Sequence, residues 1–234
     1  MRTITFLTAT AFGFLLNAQD PSAIAGMNAS KKAGQTSTLL SAPAAGNAAA
    51  ATVIYNRAID RLADGDAQGA ILDMDEVLVM QPRDAYALLG RADAYASMGE
   101  KERAVADLWN VLGIQARGPV AEQALLKLGQ NAMNDGDPRS AEILFDRYVN
   151  IAPYDALSWC HRGMAKSALR QNDAALEDLD KAIELDPNLD KAHVNKAIIL
   201  LRMGFRQEGC ASLQLAHDLG DLTTQEMLLI HCDR

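Results

Sequence analysis

Aromatic residues are scarce, at 5% of a 234-residue chain, and the 49% hydrophobic fraction comes mostly from Ala and Leu. Strands draw on Val, Ile, Thr and aromatics, so this composition argues against an all-β fold and suits closely packed helices. Basic charge is also short: 22 Lys and Arg face 30 Asp and Glu, for a net charge of -8. Nucleic-acid backbones call for clustered cations, so nucleic acid is not an expected partner, and adsorption to anionic membranes is disfavoured. Motifs of chemistry are missing too. No G-x-x-x-x-G-K-[ST], H-E-x-x-H or G-x-S-x-G occurs, which points away from an enzyme, and no cofactor is expected.

Long apolar runs are absent apart from one, Ile4 to Leu16, which follows Arg2 and meets no acidic residue before Asp20. That is the pattern of a secretory leader, and at about thirteen residues it is short for a bilayer span. Residues 1–18 therefore read as a signal peptide, with cleavage after Ala18 or as late as Ala25, and no transmembrane helix is expected in the mature chain. No Cys follows the run to carry a lipid. The expected location is the periplasm or the exterior. Residues 19–50, rich in Ala, Ser and Gly, bury too little to order themselves and read as a flexible linker, with Ala48 to Ala51 able to extend the first helix backwards.

What is present in quantity is repetition. Pro153 and Pro187 stand 34 residues apart, and Pro82 precedes Pro153 by 71, two such periods plus three. Aligned on these prolines, the chain divides into 51–84, 85–118, 122–155, 156–189 and 190–223, with 119–121 as an insertion. Each unit has a small residue in the middle of its first helix (Ala58, Ala92, Gly129, Gly163, Ala197). Each has another early in its second helix (Ala70, Ala104, Ala141, Ala175, Gly209). Seven positions on stand Val77, Val111, Tyr148, Ala182 and Ala216. Gly65, Gly99, Gly136 and Gly204 mark turns between the helices, and the fourth unit has Arg170-Gln171-Asn172 there instead. Small residues let two helices approach closely, and one hairpin cannot bury its apolar face alone, so the expectation is a helical solenoid. After Gly220, Thr223-Thr224-Gln225-Glu226 reads as a capping box opening a last helix within 224–234. The acidic clusters Asp73-Met74-Asp75-Glu76 and Asp178-Leu179-Asp180 read as solvated outer faces.

The units resemble tetratricopeptide repeats. The fourth carries the resemblance best, with Trp159, Gly163, Ala175, Leu179, Ala182 and Pro187 where the family pattern wants an aromatic, Gly, Ala, a large apolar residue, Ala and Pro. The second departs most, with Ala116 in place of the closing proline and Gly118-Pro119 after it. The resemblance implies an all-α, right-handed α-solenoid of about five helical hairpins plus a C-terminal capping helix. It also implies a concave face lined by the first helix of each pair.

Three cysteines occur. Cys210 and Cys232 flank the turn near Gly220 at nearly equal distances, so an antiparallel pair of helices brings them level and a disulfide is plausible. An oxidising compartment would form it, contributing roughly 3 kcal/mol. Exported bacterial tetratricopeptide proteins that close with a Cys in a terminal helix are similar. Two free thiols, or a weak metal site with His217 and His231, stay open as alternatives, and no metal site is expected. Cys160 reads as a packed thiol beside the groove.

Carried over from the resemblance, ligand contacts fall on Tyr55 and Asn56 from the first unit, and on Tyr86 and Asp93 from the second. The third offers Gln123, Lys127, Gln130 and Asn134, the fourth His161 and Met164, and the fifth Lys191, Asn195 and Arg202. Some family members clamp a C-terminal carboxylate, but Cys160 and Met164 stand where that clamp needs polar groups, and no clamp is expected. The function expected is a scaffold that binds a peptide or helix of a protein partner in the cell envelope. The alternatives are an assembly-factor or regulatory subunit acting through a partner complex, or a metal or redox protein using the terminal Cys/His cluster.

Overall fold

A computed structural model describes residues 44–232, and the leader assigned to 1–18 lies outside them, as does the linker up to residue 43. Among the described residues eleven helices follow one another with no strand. They pair as α1 (Ala44–Ala63) with α2 (Ala67–Met80), α3 (Ala85–Ser97) with α4 (Lys101–Ile114), and α5 (Pro119–Asn134) with α6 (Pro138–Ile151). The series continues with α7 (Ala156–Ala168) and α8 (Asn172–Leu185), then α9 (Asp190–Met203) and α10 (Arg206–Asp218). A last helix, α11 (Thr224–His231), packs on α10. The architecture is an α-solenoid of five hairpins and a terminal helix.

Local chemistry starts and stops these helices. Asp66, Asp84, Asp137 and Asp155 accept hydrogen bonds from backbone N–H groups in the first turns of α2, α3, α6 and α7, groups that have no partner inside the helix. Gly65, Gly99, Gly136 and Gly204 turn within their hairpins at φ between +73° and +90°. In the fourth hairpin Arg170 takes the same left-handed conformation at φ 63°, where its Cβ is unfavourable. Pro119 occupies the first turn of α5, where its missing N–H costs nothing. The three-residue insertion at 119–121 is thereby absorbed as an extra turn of helix.

Two starts differ from the sequence reading. Helix α1 begins at Ala44, inside the expected linker, because the Ala-rich stretch has high helix propensity and continues the helix that packs from Ala51 onward. At α11 the expected capping box does not form: Thr223 is itself helical and its side chain caps nothing. Asp221 takes that role, accepting from the Thr223 N–H at 2.9 Å and the Thr223 hydroxyl at 2.6 Å, while the buried Thr224 hydroxyl donates to the Asp221 carbonyl at 2.6 Å.

The small residues are buried where the hairpins close. Ala58, Ala92 and Ala197, with Ala70, Ala104, Ala141 and Ala175, are at most 2% exposed. At Gly163 an added Cβ would sit 3.1 Å from the Ala175 carbonyl oxygen, so α7 and α8 touch backbone to backbone. Trp159 donates its indole N–H to the Pro153 carbonyl at 2.8 Å, and His193, one period on, places Nε2 2.9 Å from the Pro187 carbonyl. Each ring ties the start of one hairpin to the loop that closes the previous one.

The acidic clusters are solvated only in part: Glu76 and Asp180 are exposed, but one carboxylate of each cluster turns inward. Asp73, Asp107 and Asp178 are buried, and each receives two hydrogen bonds from an Arg sixteen residues earlier, Arg57, Arg91 and Arg162. Arg91 also reaches Asp75 at 2.6 Å, and Arg162 reaches Asp146 at 2.8 Å, each on the preceding hairpin. Lys196 continues the series to Asp180 at 2.5 Å. The guanidinium thus joins the two helices of its own hairpin and stitches that hairpin to its neighbour. In the third hairpin the equivalent positions hold Leu128 and Leu144, 4% and 7% exposed. An apolar pair fills there the space that a paired Arg and Asp fill elsewhere. The Arg57 hydrogen bonds hold the Asp73 carboxyl below the usual carboxylate range, against the opposing effect of burial.

Candidate functional site

The first helices of successive hairpins touch along one side, α1 against α3, α3 against α5 and α7 against α9, which sets their outward side chains in a row. The row begins with Tyr55, Tyr86 and Asp84 around a cavity of about 160 Å³, whose remaining walls are Ala51, Thr52 and Gln81. Burial raises the Tyr55 hydroxyl pKa, and the charges of Asp84 and Asp93 add to that. Tyr86 is 53% exposed, an aromatic ring offered to solvent.

Across the next step Lys127 on α5 meets Asp93 on α3 at 2.8 Å. This pair is open to solvent on both sides, so it positions two polar heads and contributes little stability. Asn56, Gln123, Gln130 and Asn134 are exposed, and among the described residues their side-chain amides make no hydrogen bonds, which leaves them open to an incoming ligand.

The fourth hairpin behaves differently from expectation. His161 stacks on Phe145 with centroids 5.2 Å apart and planes 21° from parallel. Burial lowers its pKa, and the Lys191 charge lowers it further, so the ring is held neutral. Met164 packs against the core cluster formed by Cys160, Ala175 and Leu179. Burial pushes the Cys160 thiol up to about 12, which removes thiolate reactivity. Both expected groove positions of this hairpin are therefore largely committed to packing.

The fifth hairpin returns polar groups to the row. Lys191, Asn195, Ile198 and Arg202 stand on one face of α9. Asn195 donates to the Lys191 carbonyl at 2.7 Å. Arg202 bonds the Ser167 hydroxyl at 2.9 Å and the Asn172 side-chain oxygen at 2.7 Å. Those partners are neutral, so Arg202, like Lys191, has no carboxylate partner among the described residues.

Beyond it lies a cleft of about 610 Å³ that the sequence reading did not anticipate. Ile198, Leu201, Met227 and Ile230 give it apolar walls, and Arg202, Gly204, Arg206 and His231 complete the lining. Next to this cleft the structure joins Cys210 to Cys232 as a disulfide, with Cα atoms 5.7 Å apart. The two sulfurs are bonded to each other in that arrangement, and His217 turns its Nδ1 to the Thr224 hydroxyl at 3.4 Å. Between α2, α3 and α4, Leu78, Pro82, Trp109 and Ile114 line a second groove of about 600 Å³, with Arg83 and Arg91 also on its walls. Its half-exposed Trp109 stands where the inter-hairpin aspartates Asp75, Asp146 and Asp180 stand in the first, third and fourth hairpins.

The tetratricopeptide repeat pattern matches this chain twice, over residues 55–111 and over 156–189. With the paired helices and the buried small residues in place, the assignment is decided. The chain is a tetratricopeptide-repeat protein.

Solved tetratricopeptide structures share the fold. MamA from Desulfovibrio magneticus superposes with a TM-score of 0.64 at 22% identity, over 72% of this chain and 94% of that one. YrrB, described as a tetratricopeptide protein with an unusual peptide-binding site, gives 0.61 at 18% identity, over 76% and 90%. In sequence the array is similar to the human mitochondrial import receptor subunit TOM70, 31% identical over 133 residues, 56% of this chain. The match spans 22% of that receptor's length. Tetratricopeptide proteins mediate protein–protein interaction, and among the described residues of this one no helix is long and apolar enough to cross a membrane.

The sixteen-residue spacing of Arg and Asp in three of the five hairpins was the signal that could have placed the buried carboxylates. No local signal could have disclosed the terminal cleft, because its walls come from helices brought together only by the α10–α11 turn.

Proposed function

We propose that this chain is a protein-binding scaffold of the cell envelope that holds a peptide or helix of its partner along the row of first helices. The observation that carries this reading is the row itself. It offers an exposed Tyr86 beside the Tyr55 cavity, then unpartnered amides on α5, then unpaired cations on α9. Aromatic anchors supply affinity, and polar groups that give up only water fix register. The peptide-binding site for which YrrB is described is in keeping with such a use. The leader-like sequence at 1–16 and the paired Cys210 and Cys232 support export. No catalytic role is assigned to any residue.

Affinity capture from envelope extract, with the full chain immobilised beside a Tyr86→Ala, Lys127→Ala double variant, tests the binding reading. A protein retained by the parent and lost by the variant is the expected result. Equal retention by both would move recognition off the inner face. N-terminal sequencing of the chain recovered from cells tests export, with a start between residues 19 and 26 expected and an intact Met1 contradicting it.

A further inference from the structure

The cleft at the C-terminal end combines an apolar floor with a cationic rim. Its floor is apolar and partly open, with Ile198 39% and Ile230 56% exposed beside Leu201 and Met227. Its rim carries Arg202 and His231, and no carboxylate lines it among the described residues. Many cations of the array are already paired: Arg57, Arg61, Arg91, Arg103, Lys127, Arg162, Lys166 and Lys196 all sit within 4 Å of a carboxylate. Arg202 sits within reach of none, and Lys191, three turns earlier on the same face of α9, is equally unpaired. In a chain of net charge -8, an unpaired Arg at an apolar cleft, with an unpaired Lys farther along the same helix face, is complementary to a ligand that is both acidic and apolar.

We infer that this cleft takes an acidic, leucine-rich segment of a partner protein, whose apolar side chains enter between α9 and α11 while its carboxylates meet Arg202 and Lys191. The inference deepens the reading of the inner face as a binding surface and rests on it. Lys191 and Arg202 are eleven positions apart, about 16 Å along the helix, the reach of about five extended residues. A segment of that length can answer both cations at once. The wall supplied by α11 buries only Thr224 against the array, and the Cys210–Cys232 link holds it to α10. A flat anionic membrane is a poorer occupant, since a narrow cleft admits side chains rather than a surface and the chain as a whole is acidic.

The test uses the full, unreduced chain and two fluorescein-labelled synthetic peptides, one built of leucine, glutamate and serine, its counterpart with lysine in place of glutamate. Fluorescence anisotropy should show the glutamate peptide bound at least about tenfold more tightly than the lysine peptide, with affinity falling as salt rises. Arg202→Glu and, separately, Ile230→Glu should each weaken the glutamate peptide by about tenfold or more. Ile230 is exposed, so that variant leaves the fold intact even if Arg202→Glu disturbs the bonds to Ser167 and Asn172. Tyr86→Ala, Lys127→Ala should leave peptide affinity within about twofold, a change too small to mark a lost contact. Equal binding of both peptides, no binding of either, or preferential adsorption to phosphatidylglycerol vesicles would overturn the inference. So would loss of peptide binding in the Tyr86→Ala, Lys127→Ala variant with Arg202→Glu unaffected, which would leave the inner-face reading standing while this one falls.

Discussion

The third and fourth hairpins close the same positions by different physics, Leu128 meeting Leu144 in one and Arg162 meeting Asp178 in the other. One apolar cluster runs through the first three hairpins and reaches Ala165 in the fourth, and it includes Leu108, Leu125 and Phe145. A second, smaller cluster serves the last two, built on Cys160, Ala175, Leu179, Ala182, Ala192 and Ile199. Directed bonds accompany both clusters: Asp73 meets Arg57 and Arg61 in the first hairpin, and the last two hairpins have their own set. Asp178 accepts from both Arg162 and Lys166, His193 bonds the Pro187 carbonyl, Arg202 ties α9 to Ser167 and Asn172, and the disulfide fastens α11. The same repeat can therefore be closed by dispersion and desolvation, or by ion pairs and a covalent link. The inner face also changes along the array, aromatic and amide-bearing at the N-terminal end and cationic at the other.

The sharpest way to break this comparison is to remove one member from each system. Phe145→Ala should cost about 4 kcal/mol through the lost ring and the cavity left beside Gly129, read as the thermal unfolding shift. Asp178→Ala should cost about 3–5 kcal/mol, because it strands Arg162 and Lys166 without their shared carboxylate. The double change Arg162→Leu, Asp178→Leu should recover most of that loss, since Leu128 and Leu144 already make the same substitution in the third hairpin. A double variant as unstable as Asp178→Ala would show that the two closures are not interchangeable.

A smaller effect separates the ends of the array. Cys210→Ser, Cys232→Ser should cost roughly 3 kcal/mol. Hydrogen exchange should quicken in α10 and α11 while α1 to α4 stay protected, as expected of an array whose units contact only neighbours. Alkylation of the denatured, unreduced parent should label Cys160 alone, and labelling of all three cysteines would show the link absent. Smaller again, Arg170→Gly should raise stability by about 1 kcal/mol by relieving the left-handed Arg, seen as a higher melting temperature. The smallest effect is a pH dependence. Asp73 has a lowered pKa, so the stability it contributes is complete above its ordinary value near 3.8 and drains away as pH falls through the lower folded value. The stability difference between the parent and Asp73→Asn should therefore narrow in acid, and a difference constant across that range would refute the assignment.

The period, the helical hairpins and the glycine turns were legible in the sequence because proline, glycine and alanine recur where backbone geometry demands them. Asp73 and Asp178 were misread as solvated because a carboxylate among apolar neighbours looks outward-facing until its partner, sixteen residues away, is brought alongside. His161 and Met164 were placed on the right helix, but a position in the repeat does not say whether a side chain is spent on Phe145 or on Leu179. The cap of α11 was misplaced by two residues because Thr223 offers the right side chain in a conformation that is already helical. Asp221, the residue that does cap, lies outside the pattern.

Hydrogen exchange of the full chain with and without its captured partner tests the central claim most directly. The account predicts slowed exchange in α3, α5 and α9, the helices that present Tyr86, Lys127 and Arg202, with α2, α4, α6 and α8 unchanged. Protection confined to those second helices, centred on the Trp109 groove, would contradict it and place the partner off the inner face.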